Sequence, residues 1–370
     1  MPWSSTRPGG REGGVTDLKQ FTLDELRAWC AERGEPRYRA SQLFRWLYQR
    51  RARSFEGMTD LSKSARASLA RTAVISWLPT ARVEPSADGS RKFLFTLADG
   101  RVVESVLIPD AGRLTLCLSS QVGCALACRF CLTGVLGLIR HLDPGEMVNQ
   151  VLAAQEQLSP GQRLTNLVFM GMGEPLHNYA NLVRAVRILT ESAGLGFAAS
   201  RITASTAGLV PELRRFAAEL PRVKLAISLS GTTEEQRTAL MPINRRYSLR
   251  ELLQACRELP LPRGRRLTFE YVLLREVNDT PEDAERLVRL LRGIRAKVNL
   301  IPMNEHAYAP YACPEEARVL RFQAILRAGR VSAFIRANRG RDVSGACGQL
   351  GLSHLQAHPH GAPRAAARIA

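Results

Sequence analysis

Three cysteines fall within eight residues in the stretch CALACRFC, at Cys124, Cys128 and Cys131. Thiolates are soft ligands, suited to zinc or to iron–sulfur clusters. A structural zinc site closes with four ligands. No fourth Cys or His stands nearby at finger-like spacing, although Cys117 and Cys347 are available from farther along the chain. Three thiolates on a cubane of four irons leave one iron open to bind and reduce a substrate. Spacing alone leaves iron–sulfur ligation, zinc ligation and unligated thiols all open. The open iron answers why three could be the right number.

Other residues suggest chemistry less forcefully. The stretch GMGEP, residues 171–175, combines glycines with Glu174. Such glycines let a backbone approach a ligand closely, and a carboxylate can hold an ammonium group. The bland alternative is a turn with a solvated glutamate. Ser205, Ser228, Ser230 and Asn304 end apolar runs, a position where turn formers and caps are common. Cys117, in LTLCLSS, and Cys347, in SGACGQL, read as small buried hydrophobes if taken alone. Glu104, in RVVESVLIP, would have its pKa raised if buried, which suits a general base, but it also fits the surface of a hairpin. Cys30, Cys256 and Cys313 read as structural.

These residues need a scaffold. From residue 113 onward, short apolar runs alternate with amphipathic stretches. LTLCLS, NLVFMG, RITAST, VKLAISLS, LTFEYVLL, KVNLIP and VSAFIR read as strands. DPGEMVNQVLAAQEQL, NYANLVRAVRILTES and TPEDAERLVRLLRGI read as helices between them. Repeated strand–helix units predict a parallel α/β sheet with ligands at the carboxyl ends of its strands. Upstream, residues 91–109 alternate around Asp99-Gly100, a hairpin signal. LDELRAWCAERG and YRASQLFRWLYQRR carry apolar residues at helical spacing with arginines on the other face, and their Trp and Tyr either face nucleic acid or fill a core. The expected organisation is a disordered leader over 1–16, a helical accessory domain over 17–75, a small β extension over 76–112, a core domain over 113–350 and a tail over 351–370.

The 370 residues allow one large catalytic domain with attachments, or two domains, and 45% are hydrophobic, enough for a sizeable core. No signal peptide or membrane-spanning run is read, and eight cysteines are too few for a disulfide scaffold, so a cytoplasmic protein is expected. The net charge of +18, mostly an arginine excess, points to a polyanion such as RNA or DNA, or else to a GC-rich genome.

Cys-x3-Cys-x2-Cys with Phe130 before the last cysteine resembles the signature of radical S-adenosylmethionine (SAM) enzymes. LCLSSQVGCALACRFCLTG, FMGMGEPLHN, ASTAGLVP, ALMPIN, EYVLLREVNDT, VNLIPMN and GACGQL stand in the order of the RlmN/Cfr family of RNA methyltransferases, and the resemblance spans roughly residues 17–350. It implies a radical SAM partial (β/α) barrel with an N-terminal helical domain. It implies a 4Fe-4S cluster on Cys124, Cys128 and Cys131, and SAM held by Gly173, Glu174, Ser205, Ser228, Leu229, Ser230 and Asn304. Ser230 stands where the family usually has His, which puts a side-chain contact there in doubt.

The family's chemistry is ping-pong and consumes two SAM per turnover. By resemblance, Cys347 accepts a methyl group that is then activated by a radical and added to adenine. Glu104 accepts the ring proton, and Cys117 releases the product by forming a transient disulfide with Cys347. The implied substrates are adenosine 2503 of 23S rRNA and adenosine 37 of tRNA, methylated at C2. GMGEP with Pro175 and the N-terminal domain look more like the C2 branch than the C8-methylating Cfr branch. Flavodoxin or ferredoxin is the implied electron donor. A zinc-containing RNA-binding protein is the rival from another class.

Overall fold

The computed structural model describes residues 15–357. The expected leader, apart from its last two residues, and the tail beyond residue 357 lie outside the described residues. The chain forms two compact units.

The smaller unit runs to Pro79 and also takes in Asp143–Ser159 and Ala180–Ala198, two segments that fall inside the expected 113–350 core. Its N-terminal helices are Leu23–Ala31, Arg39–Tyr48 and Lys63–Thr72. Thr22 starts the first through a capping box: its Oγ1 accepts the Glu25 N–H, and Glu25 Oε2 accepts the Thr22 N–H. The aromatics divide between core and surface. Trp29, Phe44 and Tyr48 are buried, whereas Tyr38 is 62% exposed.

Lys19 is buried in this unit. Its Nζ donates to Asn149 Oδ1 at 2.8 Å and lies 4.6 Å from the Trp77 ring centroid. Burial pushes its pKa down from 10.5 to about 7. Between those values the unfolded chain holds a proton that the folded chain lacks, so this lysine makes stability rise with pH. Wild type minus Lys19→Met is expected to gain up to about 1.4 kcal/mol per pH unit across that window and to level off below pH 7, read by denaturant unfolding. A flat difference would mean that Lys19 stays charged in the fold.

The larger unit is built on one ten-stranded sheet. Its strands are β1 (Thr80–Pro85), β2 (Arg91–Thr96), β3 (Val102–Asp110), β4 (Arg113–Cys117), β5 (Asn166–Phe169), β6 (Ile202–Thr206), β7 (Lys224–Ser228), β8 (Leu267–Leu273), β9 (Ala296–Pro302) and β10 (Ser332–Ile335). Their order across the sheet is their order in the chain. Strands β4 to β10 are parallel, as the strand–helix alternation predicts, and β1 to β4 are antiparallel. The hairpin around Asp99-Gly100 is β2–β3, and Gly100 takes a φ of +80° at its turn. β1 and β10 are opposite edges, so the sheet is open rather than a closed barrel.

The two faces differ in chemistry. On β8, Phe269, Tyr271 and Leu273 point one way and are buried. Tyr271 meets Phe322 of the helix Glu316–Ala328, with ring centroids 5.4 Å apart. Thr268, Glu270 and Val272 point the other way, and Val272 packs against the group that includes Leu126, Cys128, Phe130 and Cys131. The cysteine loop therefore lies on this second, polar face. Among the described residues, no helix is long and apolar enough to cross a membrane.

Candidate cluster and methyl-transfer site

The loop after β4 is tied to its neighbours by buried polar residues. Ser119 Oγ donates to the Glu104 carbonyl at 2.5 Å and accepts the Met172 N–H at 2.9 Å. Gln121 Oε1 accepts the Glu174 N–H at 2.7 Å. The approach of GMGEP to this loop requires glycine. Gly173 has a φ of +104°, and a Cβ there would lie 2.5 Å from Gln121 Cβ. A Cβ at Gly171 would lie 2.7 Å from Ser119 Oγ.

Glu174 is buried, not solvated. Its Oε1 accepts the Leu176 N–H at 3.0 Å and its Oε2 accepts the Ala207 N–H at 2.8 Å. It thus joins the turn after β5 to the turn after β6. Burial pushes its pKa up to about 7, and its charge reaches both Cys124 and Cys128.

Cys124, Cys128 and Cys131 are free thiols, each partly open to solvent yet set deep among protein atoms. This desolvation raises all three pKa values, that of Cys124 to about 12. A metal must therefore displace their protons on binding. The thiols sense one another electrostatically. Among the described residues, however, no three His, Cys, Asp or Glu side chains converge tightly enough to hold a single ion. The donor set fits a polynuclear cluster and does not form a closed zinc site. Leu132 N–H and Thr133 Oγ1 donate to the Gly348 and Leu350 carbonyls, both at 2.7 Å, which fixes the loop to the ACGQL segment.

That segment carries Cys347. Cys347 is an exposed residue, but burial of its thiol by the surrounding protein raises the pKa to about 11. Glu270, Arg336 and Cys131 act on it, and it acts on Cys117. Cys117 is buried at the end of β4, opposite Val106 on β3. Glu104 lies two residues before Val106 and so shares that face. It is fully buried: Oε1 accepts the Ser353 N–H at 3.1 Å, and Oε2 has no partner. Burial raises its pKa, against a smaller opposing effect of Lys92. Asn304 Nδ2 donates to the Cys347 carbonyl at 3.1 Å, and its buried Oδ1 is unpartnered.

Ser205 and Ser228 are half-buried on the polar face. Two further sequence-derived residues are wholly buried. Leu229 is wholly buried and its N–H donates to the Glu270 carbonyl at 2.9 Å. Ser230 is buried at a φ of +48°, and its Oγ accepts the Val272 N–H at 3.3 Å. Their side chains serve the interior.

Arg237 escaped the sequence reading. It is fully buried, with guanidinium nitrogens donating to Asn244 Oδ1 at 2.8 Å and to the Ala207 carbonyl at 2.6 Å. Its Nε has no partner, and its charge acts on Cys128. The only sequence signal was an arginine within EEQRTALMPIN, a stretch that also supplies Asn244.

A parallel sheet bearing a three-cysteine loop and a glycine–glutamate turn at its strand ends defines the class. Residues 118–291 match the family model described as the Radical SAM superfamily, and this is a radical SAM enzyme. Residues 16–75 match a second model, the Ribosomal RNA large subunit methyltransferase N-terminal domain. The chain is 52% identical over 334 residues to the Dual-specificity RNA methyltransferase RlmN of Geotalea uraniireducens, covering 90% of this chain and 96% of that one. It is 48% identical to RlmN 2 of Myxococcus xanthus, covering 95% and 94%. A crystal structure of a radical SAM methyltransferase from Sphaerobacter thermophilus superposes with a TM-score of 0.86 at 48% identity, covering 90% of this chain and 99% of that one. The chain belongs to the RlmN family and is a SAM-dependent methyltransferase. Its class binds SAM and a 4Fe-4S cluster, and the thiol triplet with the unpartnered Asn304 Oδ1 fits that requirement.

Proposed function

We propose that this protein methylates C2 of adenosine in RNA, at adenosine 2503 of 23S rRNA and adenosine 37 of tRNA, through a one-carbon unit carried by Cys347. The observation that carries the reading is the convergence of two cysteines outside the triplet, Cys117 and Cys347, on the face that bears the buried Glu104. A cluster-binding fold alone needs neither thiol.

Cys124, Cys128 and Cys131 would hold the cluster, and SAM bound there would supply the methyl group and the radical chemistry, two SAM being used per turnover. The protein's own residues do the rest. Cys347, an exposed residue, holds the carbon. Glu104, with one oxygen free and a raised pKa, takes the ring proton from the adenine adduct. The Cys117 thiolate then attacks Cys347 sulfur, the sulfur–carbon bond breaks with its electron pair on the carbon, the carbon takes up a proton and leaves as the methyl group of the RNA, and a transient disulfide remains between thiols that are free in this structure. A flavodoxin or ferredoxin would supply electrons in the cytoplasm, where both RNAs are found.

The experiment is mass spectrometry of nucleosides after incubation with 23S rRNA fragments, tRNA, SAM and a reductant. Methylation at C2 supports the reading, C8-methyladenosine assigns the Cfr-type reaction, and unmodified adenosine contradicts both. Because the chain carries a net charge of +18, RNA affinity is also expected to fall steeply with salt. Titration of binding against salt concentration checks this, and a flat response would separate the charge from RNA docking.

A further inference from the structure

One row of side chains crosses four strands of the polar face. Ser228 on β7 pairs with Glu270 on β8, Glu270 with Asn299 on β9, and Asn299 with Phe334 on β10. Paired residues in parallel strands share a face, and Asn299 Nδ2 indeed donates to Glu270 Oε1 at 2.9 Å. The row therefore runs from a residue matched to SAM binding, past a carboxylate that acts on Cys347, to the sheet edge. At about 4.8 Å per strand, it spans roughly 14 Å.

The edge position is unusual. Phe334 is 49% exposed, at the end of a row whose other members, Ser228, Glu270 and Asn299, are polar. Lys297, two residues before Asn299 and on the same face, holds its Nζ 6.0 Å from the Phe334 ring centroid. Arg336, two residues beyond Phe334, acts on Lys297, Glu270 and Cys347. Neither cation has an ion-pair partner among the described residues. An exposed ring beside two cations that make no direct ion pair, with the Glu270 carboxylate acting on both from the row behind them, has the composition of a single-stranded nucleic acid platform, with a base on the π-face and phosphates on the charges. A purely apolar partner would leave both cations unpaired.

We propose that Phe334, Lys297 and Arg336 form a subsite for one unpaired nucleotide of the RNA substrate, stacked on Phe334, at the outer end of the row that leads to Cys347. The subsite rests on the RNA-methyltransferase reading above and adds a strand path to it. The base held there flanks the target rather than being the target, because the row separates it from the reactive thiols.

The test measures the affinity of a single-stranded RNA oligonucleotide for the full chain and its variants. Phe334→Ala is expected to weaken binding about tenfold. Phe334→Trp should retain or improve binding, while Phe334→Leu, which keeps bulk but loses the π-face, should lose as much as alanine. Lys297→Ala should also reduce the slope of log affinity against log salt by about 0.7. SAM affinity and the unfolding midpoint should be unchanged in all four variants. Wild-type affinity in Phe334→Ala, or full affinity in Phe334→Leu, would overturn the subsite while leaving the methyltransferase reading intact. Absence of RNA binding by the wild type would overturn both.

Discussion

Incubated with RNA, SAM and reductant, Cys117→Ala is expected to accumulate protein covalently joined to RNA, whereas Cys347→Ala forms neither product nor adduct. A packing argument would treat the two thiols alike, since each would be a small group in a dense interior. The site separates them. Cys347 is an exposed residue and can receive and present a carbon, whereas Cys117 is enclosed at the end of β4 with Cys347 within electrostatic reach. Removing the enclosed thiol leaves the carrier intact and blocks only release. Its pKa is pushed well up by burial, so release in the wild type should speed up as pH rises and more thiolate forms. Glu104→Ala should stall at the adduct as well, slowing product formation by about a hundredfold or more, because the ring proton has to leave first. Denaturing electrophoresis followed by peptide mapping reads all three variants. A Cys117→Ala protein that turns over normally without a shifted band would refute its role.

Loss of any one thiol of the triplet should be equally severe. Replacing Cys124, Cys128 or Cys131 with Ala is expected to abolish both iron loading and SAM cleavage, while anaerobically reconstituted wild type binds about four irons per chain. The three thiols sense one another but do not close on a single ion. The buried Arg237 acts on Cys128, and its positive charge favours the thiolate form that a cluster ligand needs. Stoichiometric zinc, with no iron-dependent absorbance after reconstitution, would contradict the cluster.

Much of this scaffold was legible because its signals are local. β4 to β10 read as apolar runs bounded by amphipathic helices, and Asp99-Gly100 marked the β2–β3 hairpin. The cysteine spacing is likewise contained in eight residues. What escaped depends on contacts distant in sequence. RVVESVLIP cannot reveal which face of its hairpin is covered. Glu104 is buried by a segment about 250 residues later, whose Ser353 N–H it accepts. Arg237 looks like a surface charge until the Ala207 carbonyl and Asn244 Oδ1 are brought to it. The helix Pro144–Glu156 reads as an ordinary crossover, but Asn149 on it accepts from Lys19, and the helix belongs to the smaller unit. The burial of Leu229 and Ser230 is likewise invisible in the motif that carries them, and it leaves their backbone rather than their side chains available to a ligand.

The most direct test of the central claim follows one carbon. Protein methylated at Cys347 with an isotopically labelled methyl group, freed of SAM, is given unlabelled SAM, reductant and RNA for a single turnover. Nucleoside mass spectrometry then locates the label. Passage through Cys347 predicts labelled adenosine and loss of label from the Cys347 peptide. Unlabelled methyladenosine, with the label still on Cys347, would contradict the account.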